Sequence, residues 1–413
     1  MRLFYPCIVV SVRFVERFMS MRIITVHNFY QQPGGEDEVF SLEASLLRRH
    51  GYQVAEFTED NAAIKDMYPL KIALNTFWSV NTEKRMQKLI EDFKPDLVHF
   101  HNTFPLISPS TIYACTKNNI PVVISLHNPR LICPGANLCR HSQPCEECLN
   151  KVFPWPAIRY KCYRNSYLQT MVVAAMLFFH RLLKTWEKRV SLYLVATEFY
   201  RDKFISLGIL ADKIKIKPYF VEDRGVKTDG AGGYVLFIGR LMQEKGIMTL
   251  LKAWDSLESI PLKIRGDGVL LEEVKKIIKE NKLGSSIEII GRLPKNKLYD
   301  LIKGAKFLIV PSEGFYETFG LVISEAFACG IPVIASRVGV MAEIVNDGIN
   351  GLHFTAGDAK DLAEKIKFLW ENPSEVERMG KEARKSYEEK YSPERNYQLL
   401  SGIYSSLIKE RKV

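Results

Sequence analysis

The chain has 413 residues, 47% of them hydrophobic and 25% charged, a composition typical of a globular protein with room for two domains. Its net charge of +10 favours anionic partners such as nucleotide phosphates or acidic lipids, and no RNA-binding or helix-turn-helix pattern predicts nucleic acid as a partner. The longest wholly apolar run, Met171–Phe179, is far shorter than the ~20 residues that span a bilayer.

The first 20 residues do not continue into the strand pattern that follows them. Met1–Ser20 is partly apolar, but Arg13, Glu16 and Arg17 interrupt it and no small-residue cleavage site follows. This pattern disfavours a signal peptide. We therefore predict an extension outside the fold, and a cytoplasmic protein, either free or at the inner face of the membrane.

Residues 21–220 alternate between strand and helix patterns, which predicts a Rossmann-like domain. Strands are predicted at Ile23–Val26, Gly51–Glu56, Asp96–Phe100, Val122–Leu126 and, as the last of this half, Leu192–Ala196. Helices are predicted at Val39–Arg49, at Glu83–Phe93 with Thr82 as N-cap, and at Tyr167–Val190.

Between the first strand and the first helix lies the glycine pair Gly34 and Gly35. Without side chains, this pair allows the backbone to approach a ligand closely. The alternative is a simple turn.

Three histidines, His27, His101 and His127, stand at the ends of first-half strands. Ligands of open parallel sheets bind beyond the carboxyl ends of the strands. A single histidine at such a place is more often structural, but the repeated placement favours a functional interpretation. We predict that His127 and Asn102 line the active site.

Five of the eight cysteines fall in residues 133–162, which we interpret as a cysteine-rich insertion in the first domain. A pair separated by two residues, with one cysteine before it and one after it, is typical of a structural zinc site. The predicted ligands are Cys133, Cys145, Cys148 and Cys162, with Cys139 or His141 as substitutes. The alternatives are unligated thiols, or disulfides in an exported protein, and the missing export signal disfavours the latter.

The helix predicted at Tyr167–Val190 combines an apolar run with a basic end. A helix lying on an anionic membrane and a core helix with a solvated end both fit this pattern. We favour the core helix.

A polar, glycine-rich linker at residues 221–233 precedes a second strand–helix series at residues 234–390. Strands are predicted at Tyr234–Ile238, Leu262–Arg265, Ile287–Ile290, Phe307–Val310 and Pro332–Ala335. Helices are predicted at Leu270–Asn281, Leu298–Gly304, Leu321–Cys329, Ala359–Leu369, Pro373–Tyr391 and Pro393–Lys412.

Arg240 and Lys245 lie in the loop after the first strand of this second series. A guanidinium fork and an ammonium point charge can bind one diphosphate from two sides. The alternative is a pair of exposed surface cations.

The segment Pro311–Ser336, PSEGFYETFGLVISEAFACGIPVIAS, predicts a strand end, a loop, a helix and a buried strand. Glu317 lies in the loop, eight residues before Glu325 on the helix. The N-terminus of this helix favours an anion, so two carboxylates would flank a phosphate site, as suits a nucleotide sugar. The backbone of that site would come from Thr318, Phe319, Gly320 and Leu321. The alternative is two solvated glutamates.

This segment resembles the motif of the retaining GT-B glycosyltransferases of family 4, in which seven residues separate two glutamates. The likeness extends over most of Met21–Val413. It implies an α/β fold of two Rossmann-like domains that face each other across a cleft, with residues 391–413 crossing back to the first domain.

The resemblance also implies roles for single residues. Glu317 and His127 would contact the donor sugar, and Glu325 would hold the ribose hydroxyls. The donor phosphates would meet Arg240 and Lys245, with Gly34 and Gly35 beside them and the backbone around Arg292 at the nucleobase.

The predicted activity is transfer of a sugar from a nucleotide diphosphate-sugar to an acceptor hydroxyl with retention of configuration, in the assembly of a surface polysaccharide or glycolipid. The sequence has no Asp-x-Asp motif, which fits a transferase that needs no metal for catalysis. The acceptor would be a glycan or lipid-linked, with peripheral contact to an anionic membrane. The rivals are a nucleotide-sugar epimerase on the same scaffold and a non-catalytic, zinc-stapled module that binds acidic glycans or lipids.

Overall fold

The computed structural model describes residues 21–410, except for 33, 141–142, 150, 207, 227–231, 258, 292 and 314–316. The predicted extension Met1–Ser20 therefore lies outside the described residues. Within them are two six-stranded sheets, each parallel throughout, and one small antiparallel pair.

The first sheet has the strand order β2-β1-β3-β4-β7-β8. Its strands are Arg22–Phe29 (β1), Gln53–Asp60 (β2), Leu97–Phe100 (β3), Val122–Ser125 (β4), Leu192–Val195 (β7) and Ile214–Ile216 (β8). The strands β3, β4 and β7 are buried along their whole length, as expected where helices cover both faces of a parallel sheet. Val26 pairs with Phe100, and Phe100 pairs with Ile124, so the residues that follow these strands meet at one edge.

The helices of the first half are Gly35–Arg49 (α1), Pro69–Phe77 (α2), Val80–Phe93 (α3), Ser110–Lys117 (α4), Trp155–Arg159 (α5), Tyr167–Leu182 (α6), Thr185–Lys188 (α7) and Glu198–Ile205 (α8). The short antiparallel pair is Cys139–Arg140 (β5) with Gln143–Pro144 (β6).

Three sequence predictions for this half were wrong in detail. Leu192–Ala196 is not the last strand, because β8 follows it. The N-cap of α3 is Ser79, whose Oγ accepts from the backbone N–H of Thr82, while the Thr82 hydroxyl donates to the Ile107 carbonyl at 2.6 Å. The long helix ends at Leu182, since Lys184 takes a left-handed backbone conformation.

The second sheet has the strand order β11-β10-β9-β12-β13-β14. Its strands are Tyr234–Ile238 (β9), Leu262–Arg265 (β10), Ile287–Ile290 (β11), Ala305–Val310 (β12), Val333–Ser336 (β13) and Gly351–Phe354 (β14). The sequence predictions for β9, β10 and β11 are confirmed to the residue, and β14 was not predicted.

The helices of the second half are Ile247–Trp254 (α9), Leu271–Glu280 (α10), Lys295–Lys303 (α11), Leu321–Ala328 (α12), Gly339–Ile344 (α13), Ala359–Glu371 (α14), Pro373–Ser386 (α15) and Pro393–Glu410 (α16). Short 3₁₀ turns lie at Asn61–Asp66, Pro129–Leu131, Ala211–Lys213, Gln243–Lys245 and Leu283–Ser285, and a π turn lies at Tyr387–Tyr391. In the part of the chain that the structure describes, no helix is both long and apolar enough to cross a membrane.

The last helix, α16, packs against the first sheet. Leu400 and Tyr404 are fully buried in one apolar cluster with Met21, Ile23 and Leu97. The Tyr404 hydroxyl also lies 2.7 Å from Nδ1 of His99 on β3. The chain therefore ends on the half in which the described residues begin.

Candidate active site

A cavity of about 680 Å³ lies between the two halves of the molecule. The first half contributes the glycine pair, with Asp37 and Glu38 beside it, and the second half contributes Leu321 and Glu325. A Cβ on Gly35 would lie 3.1 Å from Cδ1 of Leu321, so the missing side chain lets α1 and α12 start close together. Of the predicted site residues, Gly34, Gly35, Leu321 and Glu325 line this cavity.

Asp37 fixes the backbone of the glycine pair. One of its carboxylate oxygens accepts from the backbone N–H of Gly34 at 2.8 Å, and the other lies 2.8 Å from Nε2 of His27 at the end of β1. The helix α1 is thereby joined to the strand before it. His27 serves this joint and does not line the cavity.

Lys245 and Glu317 are joined by an ion pair between Nζ and Oε1. Burial, with a contribution from the nearby charge of Arg240, lowers the pKa of Lys245 to about 8. An ammonium in such a place is stabilised by further negative charge. Two cations and one carboxylate that were predicted for the donor site therefore lie together, on loops of the second half.

Gly246 brings the Lys245 loop against the end of β12. It has φ +67°, and a Cβ built on it would lie 1.8 Å from the Pro311 carbonyl oxygen. No residue with a side chain fits at that distance in this backbone conformation. The contact brings Lys245 to the loop that carries Glu317.

The helix α12 begins directly after Gly320, which has φ +76°. Phe319 is buried, and its ring packs on Tyr219, with 5.0 Å between the ring centroids, and on Tyr391, at 5.5 Å. The aromatic side chain thus anchors the loop before α12, while Thr318 beside it is half-buried. Arg292 lies outside the described residues, and its predicted place at the nucleobase stays a prediction.

Arg265 at the end of β10 lines the cavity and was not singled out from the sequence. Its Nη2 donates to the Leu293 carbonyl at 3.4 Å, whereas its buried Nε has no hydrogen-bond partner among the residues that the structure describes. The guanidinium adds positive charge to the cavity wall, which favours an anionic ligand there.

Both ring nitrogens of His127 are hydrogen-bonded within the protein. Nε2 lies 2.9 Å from Nδ1 of His101, and Nδ1 lies 2.5 Å from the Tyr219 hydroxyl. Burial, followed by the neighbouring His27 and His99, holds the pKa of His127 well below its ordinary value. The imidazole is therefore neutral, and its contact with a sugar stays a prediction.

Asn102 holds the loop after β3. Its amide nitrogen donates to the Asn28 carbonyl at 2.8 Å, and its amide oxygen accepts from the Phe104 backbone N–H at 2.9 Å. The structure places Asn102 beside the strand ends as predicted, but its side chain is engaged with backbone there. A role in positioning the sugar stays a prediction.

A buried ion pair between Glu43 and Lys217 lies behind the histidines. The second carboxylate oxygen of Glu43 lies 3.8 Å from Nε2 of His101 and 4.0 Å from Nδ1 of His99. These three ligand atoms lie within 4.8 Å of one another, as a metal site would require. Because the Lys217 ammonium occupies the same carboxylate, we assign a buried ion pair beside the histidines here and not a cation site.

His101 and Tyr219 hold His127 at both of its ring nitrogens. The contacts of Glu43 with His99 and His101 are longer than hydrogen bonds, so the Glu43–Lys217 pair acts on these histidines through its charge. Sequence reasoning missed this pair because the two residues are 174 positions apart.

Glu36 lies between two strand ends on the first-half side of the cleft. Its Oε2 accepts from the Tyr30 hydroxyl at 2.9 Å and from the Asn128 amide at 3.1 Å, while its buried Oε1 has no hydrogen-bond partner in the described part of the chain. Burial raises the pKa of Glu36 to about 7, against the effect of both hydrogen bonds. A carboxyl group that titrates near neutral pH beside a cleft is a candidate for proton transfer.

The four predicted zinc ligands share one neighbourhood. Burial, with smaller contributions from the nearby Cys133, Cys162 and Cys145, raises the pKa of the Cys148 thiol to about 12. The described residues contain no three of these thiols within 4.8 Å of one another, and all four are free of disulfides. His141 lies outside the described residues, so zinc binding stays a prediction.

Comparison with known proteins agrees with this architecture. The model of Glycosyltransferase Family 4 matches residues 34–223, and the model of Glycosyl transferases group 1 matches residues 222–386. An uncharacterised glycosyltransferase of Methanocaldococcus jannaschii is 34% identical over 372 residues, which cover 89% of this chain and 90% of that protein. The O-antigen chain mannosyltransferase C of Escherichia coli is 21% identical, over 95% of this chain and 100% of that protein.

Solved structures share the fold at low identity. Anabaena HepE in complex with UDP and glucose has a TM-score of 0.65 and 18% identity, over 94% of this chain and 100% of that chain. Sucrose-phosphate synthase from Thermosynechococcus elongatus has a TM-score of 0.68 and 18% identity, with the same coverage. The arrangement of two parallel-sheet domains is thus the GT-B fold.

Proposed function

Because the chain belongs to the group 1 family of glycosyl transferases, we propose that it moves a sugar from a nucleotide diphosphate-sugar to an acceptor hydroxyl, with retention at the anomeric carbon. The observation that carries this proposal is the cavity between the halves, where Gly34 and Gly35 face Leu321 and Glu325. A long donor with a charged centre and two sugar ends suits a cleft with amides and carboxylates in its walls.

In this proposal the donor diphosphate replaces Glu317 as the partner of Lys245. The ion pair holds the ammonium while no donor is bound. When a diphosphate takes that ammonium, the Glu317 carboxylate becomes free to accept from the sugar hydroxyls. The same step therefore binds the phosphates and frees the Glu317 carboxylate to bind the sugar.

Charge on the leaving diphosphate would be stabilised by Lys245, by Arg240 and by the backbone amides at the start of α12. The positive charge of Arg265 in the cavity wall extends this set. Once the diphosphate has displaced Glu317 from Lys245, little further reorganisation of these groups is needed as the bond to the sugar breaks. The proposal therefore requires no metal ion for catalysis.

The reaction would pass through an oxocarbenium-like state on one face of the sugar. We assign no protein nucleophile, and the donor phosphate itself would take the proton of the acceptor hydroxyl. Glu325, 7% exposed on α12, would hold the ribose hydroxyls. His127 would support the sugar side from the network behind it.

For the acceptor we propose a glycan or a lipid-linked glycan of a surface polysaccharide. The support is the Escherichia coli relative, whose name assigns it to the O-antigen chain. An epimerase on the same scaffold would need no acceptor, and a binding module would release no nucleoside diphosphate.

We also propose that Cys133, Cys145, Cys148 and Cys162 bind one structural zinc ion. Burial, with smaller contributions from the neighbouring thiols, raises the pKa of Cys148 and of Cys162, and a bound dication would stabilise their thiolates. The β5–β6 pair between them is only two residues long in each strand, so a metal would supply the order that a small core cannot.

The direct test supplies the purified protein with a panel of nucleotide sugars, with and without a lipid-glycan extract. The expected result is acceptor-dependent release of nucleoside diphosphate for one donor. Recovery of an isomerised donor without acceptor would favour the epimerase. No release with any donor, or wild-type release by Lys245→Met, would contradict the proposal.

A further inference from the structure

Exposed apolar side chains are concentrated on one part of the surface. Of the 18 large hydrophobic residues that are exposed among the described ones, 13 lie in residues 68–80 and 152–183. Leu70 on α2 is 72% exposed, and Leu168 and Leu182 on α6 are 71% and 63% exposed. Scattered single residues of this kind need no explanation, but a concentrated set marks an interaction site.

These residues belong to one continuous surface. The helices α2 and α5 both pack against α6, and the rings of Phe77 and Phe179 join α2 to α6 with 6.3 Å between centroids. The inward side of α6 is held by Val173, Met176 and Leu177, which are buried. We call the outward side, formed by α2, α5 and α6, the α2–α6 surface.

The core-helix interpretation of Tyr167–Val190 therefore fits only one side of α6. The outward side repeats Leu168, Met171, Phe179 and Leu182, all exposed, at intervals that keep them on one face of a helix. The helix contains no acidic residue. An apolar stripe that faces outward needs a partner that the described chain does not supply.

The charge around this surface is strongly positive. Residues 151–190 contain eight Lys and Arg and one acidic residue, Glu187, and thus carry +7 of the chain's net +10. Lys184, just after α6, and Lys188, at the end of α7, are both exposed. Lys161 lies over the Tyr167 ring, with Nζ 4.5 Å from the centroid, so cations and aromatic rings alternate here.

We propose that the α2–α6 surface binds the headgroup region of an anionic lipid bilayer. Apolar side chains and cations on one face match the layered chemistry of such an interface, with acyl chains below and phosphates above. A second copy of the chain is a poorer partner, because face-to-face contact would bring two sets of these cations together. This inference is independent of the proposed transferase activity.

The surface also adjoins the cleft. Arg181 on α6 donates from Nη2 to the Leu131 carbonyl at 3.2 Å, in the turn that follows His127 and Asn128. The Arg130 guanidinium in the same turn lies over the Phe104 ring at 4.2 Å. A bilayer bound to the α2–α6 surface would thus lie beside the first-half wall of the active site.

The test measures co-sedimentation of the full chain with vesicles of phosphatidylglycerol and phosphatidylcholine, and with vesicles of phosphatidylcholine alone. We expect binding to the anionic vesicles only. Leu168→Glu with Leu182→Glu should weaken it at least tenfold, because two apolar contacts become repulsive. Lys184→Gln with Lys188→Gln should weaken it by about 25-fold, at roughly fivefold for each cation near an anionic surface.

Val269→Glu is the matched control, since Val269 is 83% exposed but lies in the second half. It should bind as the wild type does, and thermal unfolding should show that all variants are folded. Unchanged binding by the Leu168→Glu, Leu182→Glu protein would overturn the proposal and assign the contact elsewhere, as to Met1–Ser20. A wild-type dimer in sedimentation velocity that this variant abolishes would overturn it in favour of a second copy.

Discussion

Replacement of Glu317 by Gln should tighten the binding of a nucleoside diphosphate and slow sugar transfer. In the structure, Lys245 is paired with the Glu317 carboxylate, so a phosphate has to displace that carboxylate before it can bind the ammonium. Glutamine removes the competing charge but keeps the size of the side chain. It also removes the charged acceptor that we assign to the sugar hydroxyls.

The gain in affinity follows from the geometry of the pair. The side chains of Lys245 and Glu317 are 21% and 18% exposed, between the protein interior and water. With an effective dielectric constant of about 40 and ~4 Å between the charge centres, their attraction is about 2 kcal/mol. Desolvation and side-chain ordering offset about half of it, and the remaining ~1 kcal/mol corresponds to about fivefold tighter binding.

The assay is calorimetric titration with nucleoside diphosphates at pH 7, below the pKa of about 8 for Lys245, so that the ammonium stays charged. Turnover is measured on the same samples by diphosphate release, and we expect it to fall about 100-fold or more in Glu317→Gln. Lys245→Met should lower both affinity and turnover. Glu364→Gln, on the exposed side of α14, should change neither, and weaker diphosphate binding by Glu317→Gln would refute the exchange.

Three further predictions concern backbone, pH and metal. Gly246→Ala should lower the free energy of unfolding by more than about 3 kcal/mol in urea unfolding, because its Cβ would meet the Pro311 carbonyl oxygen. Gly348 also has a positive φ but has open space around it, so Gly348→Ala should lower the free energy of unfolding by only about 1 kcal/mol. Glu36 binds its proton more tightly in the folded protein, so its contribution to the free energy of unfolding is complete below pH 4.5 and is lost as the pH rises to about 7. This contribution is about 3 kcal/mol at most. Glu36→Gln should therefore weaken the dependence of the free energy of unfolding on pH, measured by urea unfolding between pH 5 and pH 8. Purified protein should contain one zinc ion per chain, which Cys148→Ser should lose and Cys329→Ala, remote from the cluster, should keep in elemental analysis.

Each of these has an outcome that contradicts it. Equal losses for Gly246→Ala and Gly348→Ala would show that the Pro311 contact relaxes without cost. If the free energy of unfolding changed with pH in the same way for the wild type and Glu36→Gln, a group other than Glu36 would be responsible for the change. Zinc retained by Cys148→Ser would remove that thiol from the ligand set.

Strands that are bounded by glycine residues in the sequence could be predicted. Tyr234–Ile238 lies directly between Gly233 and Gly239 and forms β9 without a shift of boundary. By contrast, β8 and β14 were not predicted, although β14 has four residues, as many as the confirmed strands β10 and β11. Their positions in the sheets depend on pairing with β7 and β13, and this pairing cannot be read from the local sequence.

Much of the candidate site was likewise predictable where it rests on local motifs. The glycine pair and the segment that carries Leu321 and Glu325 line one cavity, and Lys245 lies against Glu317. What could not be predicted is burial. The same residue type is a surface acid at Glu364 and a group that titrates near neutrality at Glu36, because the difference is made by side chains from other strands.

The docking of α16 on the first sheet has a consequence for biosynthesis. Leu400 and Tyr404 cover the apolar residues Met21, Ile23 and Leu97, so these strand residues are buried only after a helix that is translated much later has been made. During that delay an apolar face of the nascent sheet is open to water and to other chains. The first half is therefore completed only after the second half has been translated.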